Sequence, residues 1–356
     1  NLTFMIINYI YKMMLVKKKN IMIIGAGWMG CHLAYSLKLK GFNISLFEQK
    51  KIFNGMSGSN TNRLHMGYHY PRSYQTRIQS KKGFESFIKR YPQLVKKIKN
   101  NLICILKKES LIDFDTYKKI MLSTNLKIKS TKYFQSELSN VEGLIKVDEA
   151  QILQDKSKKF FETKLKKNLF NNSKIDIKKI KFQKKKFIYN DIKFDHVIDC
   201  TAGHMSKYKI FDISYEPRVT FVYKSKLKSF ALMAMDGPFY NIFPYKKNDY
   251  ILGTPKFSKF KKFNNLNKSI HFLKNIKNEI LLKRQIGAEN IVKKSFNNFD
   301  KYFKFKSYFF SLTTILNSKS DNRPTLVKKS KNVIFVLGGK IDTIFEAEKE
   351  ILKLIN

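Results

Sequence analysis

The apolar positions of the chain fall into a regular alternation over its first fifty residues. Residues 21–24 (Ile-Met-Ile-Ile) are uninterrupted and apolar, as expected of a strand buried on both faces. A glycine-rich turn follows at Gly25-Ala26-Gly27-Trp28-Met29-Gly30, then a helical spacing over 31–40 that stops at Gly41. Residues 43–47 read as a second strand ending on Glu48. Beyond this unit the pattern changes. Residues 54–77 are polar, without period, and rich in Gly, Ser, Asn, His and Tyr, and so long an aperiodic stretch inside a domain is usually functional. Residues 78–91 and the segments to about 138 read as mostly helical. Residues 146–155 lead into a basic amphipathic helix running to about 171. Short strands are expected at 175–177 and 186–189, and an apolar strand at 196–200. Residues 215–254 are β-rich, with strands at 239–244 and 250–253, and 266–283 is a lysine-rich helix. Residues 333–337 form a last strand, with a Gly338-Gly339 turn and a closing helix from Asp342. No internal repeat is visible.

Composition changes the picture in two ways. The 356 residues carry 70 Lys+Arg against 27 Asp+Glu, a net charge of +43. A field of that sign attracts nucleic acid or anionic membrane. Yet the lysines are scattered, and the abundance of Lys, Asn, Ile and Phe is that of AT-rich codons, so a nucleic-acid partner ranks below a compositional origin. Against that background the seven arginines are informative, because only Arg offers a planar bidentate donor fork. Three of them, Arg63, Arg72 and Arg77, cluster in the aperiodic stretch.

Three cysteines, Cys31, Cys104 and Cys200, give neither a disulfide framework nor a CxxC zinc motif, so no metal is expected and a cytoplasmic setting fits. Residues 1–18 read as an N-terminal extension. Its apolar stretch, 2–16, is shorter than the roughly 20 residues of a membrane span, which leaves at most a weak peripheral anchor.

Gly25, Gly27 and Gly30 form G-x-G-x-x-G between an expected strand and helix. The first glycine permits the turn, the second lets backbone approach a pyrophosphate, and the third lets helix and strand pack closely. Phosphates then sit on the helix N-terminus, and Glu48, with Gln49 beside it, is placed to take ribose hydroxyls. Further along, 196–203 is an apolar run ending Thr201-Ala202-Gly203. Asp321-Asn322-Arg323-Pro324 precedes a strand and the turn Gly338-Gly339-Lys340-Ile341-Asp342-Thr343. Asp236-Gly237-Pro238-Phe239-Tyr240, with Phe243-Pro244 and Leu252-Gly253, lies between them.

In this order the segments resemble the D-amino-acid oxidase-like superfamily of FAD-dependent oxidoreductases, from about residue 19 to the end. The resemblance implies an α/β fold: a Rossmann-type FAD-binding domain with a parallel sheet and helices, plus an inserted α+β substrate domain with a mainly antiparallel sheet. The expected division is 19–80, 140–214 and 310–356 for the FAD-binding domain, and 81–139 and 215–309 for the substrate cap.

The resemblance further implies that Ser57, Asn60 and Arg63 lie near cofactor phosphate or flavin, with His65, Tyr68, His69 and Arg72 on the substrate side. Thr201, Ala202, Gly203 and 338–343 would complete the cofactor site, with Lys340 near the flavin and Arg323 near the segment that covers it. Arg218 is a further candidate for a substrate carboxylate, set against a structural ion pair. The activity implied is oxidation of a C–H bond next to an amine or hydroxyl of a small anionic substrate, by hydride transfer to flavin N5. A flavin-dependent sugar-nucleotide enzyme and a tRNA-modifying flavoprotein are the alternatives.

Overall fold

The computed structural model describes residues 18–205, 210–317 and 324–355. Asn20–Ile24 is flanked by His196–Asp199 on one side and Asn43–Phe47 on the other, all parallel, because each is a short apolar run with both faces covered. Val333–Leu337 adds in parallel beyond His196–Asp199, and the antiparallel Leu326–Ser330 closes that edge. Leu169–Phe170 closes the other. Trp28–Leu39, Tyr74–Arg90, Gln154–Lys164 and Ile344–Ile355 are the helices of this half. Its core gathers Ile21, Ile23, Leu46 and Ile334 from the sheet with Leu33, Leu37, Phe87, Phe161 and Ile351 from the helices.

The second half is an eight-stranded sheet in the order Phe303–Leu316, Ile213–Ser225, Asp249–Gly253, Tyr240–Pro244, Phe230–Met235, Asn100–Leu106, Val141–Lys146 and Lys129–Ser130. Every pairing in it is antiparallel except that of Phe230–Met235 with Asn100–Leu106. This is the expected α/β architecture with a mainly antiparallel second sheet.

Local readings fare less evenly. The stretch after residue 91 is not mostly helical: Val95–Lys97 and Asn100–Leu106 are strands, and Phe114–Leu122 is the one α-helix before residue 138 among the described residues. Leu102 to Leu106 is apolar throughout because it crosses the middle of the large sheet with both faces buried. The helix expected to reach 171 ends at Lys164, where Leu169–Phe170 must turn in as an edge strand. The strand expected at 175–177 is replaced by a single helical turn, Ile177–Lys179. The lysine-rich helix is two, Leu266–Lys274 and Asn278–Lys293. The extension read over 1–18, with its apolar stretch, lies outside the described residues up to 17. Among the described residues no helix is long and apolar enough to cross a membrane.

A small third sheet matters most for function. Arg63–Leu64 pairs with Ala150–Ile152, which pairs in turn with Val95–Lys97. It pins the polar stretch onto the seam between the two large sheets and sets Arg63 beside Glu149.

Candidate active site

The glycine motif lies where its spacing puts it, between Asn20–Ile24 and the helix Trp28–Leu39. Gly25 has φ +97, which a side chain would strain. A Cβ on Gly30 would overlap the Gly25 carbonyl oxygen, so only glycine lets the helix start this close to the strand. A Cβ on Gly27 would lie 2.9 Å from the Ser57 hydroxyl. That hydroxyl accepts the Trp28 N–H at 2.8 Å, so an oxygen already sits at the helix N-terminus, where the backbone donors collect anions. Glu48 takes the Ala26 N–H at 2.8 Å and the Lys50 N–H at 3.0 Å, and thereby stands at the tip of its strand beside the turn. Gln49 is exposed next to it. The Trp28 indole belongs to the core, stacked on Phe53 at 5.3 Å; only its backbone faces the turn. Met29 reaches across to Gly338, whose Cβ position is 2.9 Å from the Met29 methyl.

Two further turns border the same edge. Asp199 accepts from both the Thr201 N–H (2.8 Å) and hydroxyl (2.6 Å), with burial raising its carboxyl. Ala202 and Gly203, both at positive φ, give their carbonyls to Thr314 and Tyr215 of the large sheet. At the C-terminal turn, Thr343 bonds back to the Lys340 carbonyl, and Gly339 and Ile341 are half-buried. The Asp342 carboxylate is 1% exposed, and neither oxygen has a hydrogen-bond partner among the described residues; the Lys340 ammonium lies 3.7 Å away. A buried carboxylate so poorly satisfied, next to a glycine turn, suits a polar group supplied from outside the chain.

The polar loop divides its arginines by task. Arg63 is buried, donating to Glu149 (2.7 Å), Asn241 (2.7 Å) and Asn101 (3.3 Å) and packed over Phe243 at 4.8 Å. Arg77, also buried, clamps the Tyr70 and Pro71 carbonyls at 2.9 and 2.8 Å. Arg72 is exposed and meets the buried Asp236 at 2.7 Å. Asn60 stays local, accepting the Asn62 N–H at 2.7 Å. Arg218 pairs with Glu216 at 2.6 Å, the ion-pair reading. Arg323 lies outside the described residues.

His65 and His69 come together, their Nδ1 atoms 3.1 Å apart and both facing Glu149 Oε1, at 3.8 and 3.9 Å. Burial drives His69 well below the usual imidazole range, and the neighbouring His65 and Arg63 add to it. Burial opposes ionisation of Glu149, yet Arg63 and the two imidazoles carry its carboxyl far below the ordinary value. Tyr68 points inward instead, donating to the Lys127 carbonyl at 2.7 Å, and burial pushes its phenol up. The Tyr70 ring joins the histidines to the C-terminal turn: its centroid is 6.2 Å from each imidazole and 4.9 Å from the Lys340 ammonium. Lys340 also donates to Ser80 at 2.9 Å.

Glu149, Asn101 and Asn241 are the residues that sequence reasoning missed. They join Arg63 from 38 to 178 residues away. The available signal was a rare arginine inside an otherwise polar loop, which needs buried partners if it turns inward.

A glycine-built dinucleotide cradle, an acid at the next strand tip and a histidine loop against a C-terminal glycine turn define an oxidoreductase that works on a bound nucleotide cofactor. Residues 20–140 match the sequence model for the FAD dependent oxidoreductase family, DAO. Residues 20–140 thus carry an FAD-dependent oxidoreductase domain of the DAO type, and FAD is its cofactor. It is 29% identical over 336 residues to the FAD-dependent monooxygenase FPY4 of Fusarium mangiferae, covering 94% of this chain and 90% of that one. It is 26% identical over 373 residues to the FAD-dependent monooxygenase kojA of Aspergillus flavus, covering 94% and 85%. Its fold resembles FAD-bound L-alpha-glycerophosphate oxidase from Mycoplasma pneumoniae (TM-score 0.72, 14% identity, 96% and 95% covered). It also resembles L-proline dehydrogenase from P. horikoshii (TM-score 0.71, 12% identity, 96% and 94% covered). The cradle fits the group: Gly25, Gly27, Gly30 and the helix N-terminus suit its pyrophosphate, Glu48 its ribose, and the Lys340–Asp342 turn its ring end.

Proposed function

We propose that the chain oxidises a C–H bond next to an amine or hydroxyl of a small anionic substrate. FAD, when bound, supplies the hydride acceptor at N5. The observation that carries the reading is the meeting of His65, His69, Tyr70 and Lys340, drawn from a loop and a turn some 270 residues apart, beside the nucleotide cradle.

In this reading the eight-stranded sheet is the substrate-side domain, and it extends the expected cap of 81–139 and 215–309 to the strands Val141–Lys146 and Phe303–Leu316. Arg72, held at the surface by Asp236, turns its guanidinium to the substrate anion and orients it, which makes the transfer effectively unimolecular. His65 and His69 hold one proton between their Nδ1 atoms and take up the one that leaves the substrate heteroatom. Burial keeps the His69 ring neutral before the transfer, so a proton taken up there is weakly held. Tyr68 keeps its proton and fixes the loop through Lys127. Arg323 stays a candidate for the same anion.

The test is an anaerobic screen of amino acids, amines and hydroxy acids against the FAD-loaded protein, following the 450 nm band. Bleaching by one class is the expected result. A protein that retains no FAD, or whose FAD no member of these classes reduces, overturns the reading. The relatives named monooxygenases make oxygen the first acceptor to try, and mass spectrometry of the product under ¹⁸O₂ tells oxygen insertion from plain oxidation.

A further inference from the structure

His65 Nδ1, His69 Nδ1 and Glu149 Oε1 form a triangle with sides of 3.1, 3.8 and 3.9 Å. A circle through three points so spaced has a radius of about 2.1 Å, which is the length of a zinc–imidazole or zinc–carboxylate bond. One point therefore lies at bonding distance from all three donors with no side chain moved. A cation displaced a few tenths of an ångström from the plane keeps that distance and leaves one side open. Two imidazoles and one carboxylate suit zinc or another first-row divalent ion, not calcium or magnesium.

The donors are held in place. Glu149 is fully buried and fixed through both oxygens: Oε2 by Arg63 at 2.7 Å, and Oε1 by the Met66 N–H at 2.9 Å, which still leaves Oε1 a lone pair. The two histidines lie four residues apart in the loop, which Arg77 ties down through the Tyr70 and Pro71 carbonyls. Arg63 does for the carboxylate what outer partners do at known metal centres, setting its orientation from the oxygen that does not bind.

We propose that His65, His69 and Glu149 form a site for one divalent transition cation of the zinc class. The cation takes the place of the proton that the two rings otherwise share. Because Arg63 already balances Glu149, a bound cation keeps most of its charge and calls for water, hydroxide or an anion on its open side. The binding claim stands apart from the flavin reading. Its consequence, that zinc takes the proton acceptor out of use and slows turnover, rests on that reading.

The experiment is equilibrium dialysis of the FAD-loaded protein against micromolar zinc sulfate, with metal per chain counted by mass spectrometry. One equivalent is expected for wild type and for His271→Ala, which removes an imidazole elsewhere. His65→Ala and His69→Ala should each lower zinc affinity at least tenfold, with the 450 nm absorbance showing that each variant still holds FAD. Should one of them fold poorly, the other decides alone. No stoichiometric zinc on wild type, or equal binding by wild type and both loop variants, overturns the proposal. Zinc binding without any flavin bleaching in the substrate screen would overturn the flavin reading and leave the metal site standing.

Discussion

Arg63→Met removes one partner from a buried ion pair and leaves the other behind. The side chains of Arg63 and Glu149 are 1% and 0% exposed. In the variant, Glu149 keeps the Met66 N–H and the two imidazoles at nearly 4 Å, and has lost its guanidinium partner. Breaking a buried pair from one side costs about 3–5 kcal/mol, since the remaining charge is neither solvated nor matched. An unfolding entropy near 2.1 cal/mol/K per residue, over 356 residues, gives about 0.75 kcal/mol per degree. The melting temperature should therefore fall by roughly 4–7 °C, read by far-UV circular dichroism in saturating FAD. The double variant Arg63→Met/Glu149→Leu removes the stranded charge as well and should recover at least about half of that loss. A drop of less than about 1 °C for the single variant would refute the argument. So would a double variant that melts as low as the single or lower, because the cost would then lie in packing against Phe243 and not in charge.

Other outcomes follow from the same geometry. Gly30→Ala drives a Cβ into the Gly25 carbonyl, so the purified variant should lose FAD, measured by the ratio of 450 to 280 nm absorbance; full retention would contradict the cradle. Arg72→Leu takes the guanidinium from the buried Asp236 carboxylate, so the melting temperature should fall, and KM for the substrate found in the screen should rise at least tenfold. His32 is buried between Tyr91 and Glu348, and burial lowers its affinity for a proton. Its unfolded form binds one below about pH 6.5, so stability is full above that pH and falls as pH drops through it. His32→Gln should flatten the melting temperature between pH 7 and 5. Below that window Glu348, held down to about 2 against the opposing effect of burial by its bonds to His32 and Ser36, adds a further loss between about pH 4 and 2.

The first strand, glycine turn and helix were in plain sight in the sequence. Residues 21–48 are local in both pattern and contact, so periodicity and glycine spacing were enough to place strand, turn, helix and acid. The loop 54–77 stood out because a long polar stretch with three of seven arginines is unusual in a packed domain, and two of them, Arg63 and Arg77, turn inward. What those arginines touch was not legible. Arg63 turns inward to Glu149, Asn101 and Asn241, and nothing short-range marks such partners. Strand Asn100–Leu106 was misread for a related reason: a short apolar run buried on both faces has neither the helical period nor strand alternation. Its pairing with Val141–Lys146 and with Phe230–Met235, some 130 residues on, makes it a strand.

A Cβ on Gly83, in the helix Tyr74–Arg90, would overlap the backbone of Asp342, so this helix and the C-terminal turn lie in direct backbone contact. The turn is in place only once Val333–Leu337 has paired with His196–Asp199. During synthesis, then, Lys340 and Asp342 must have left the ribosome before they can reach the helix. A nascent chain that has passed Glu48 but not reached Asp342 lacks this contact, so the helix Tyr74–Arg90 waits for a backbone partner more than 250 positions further on.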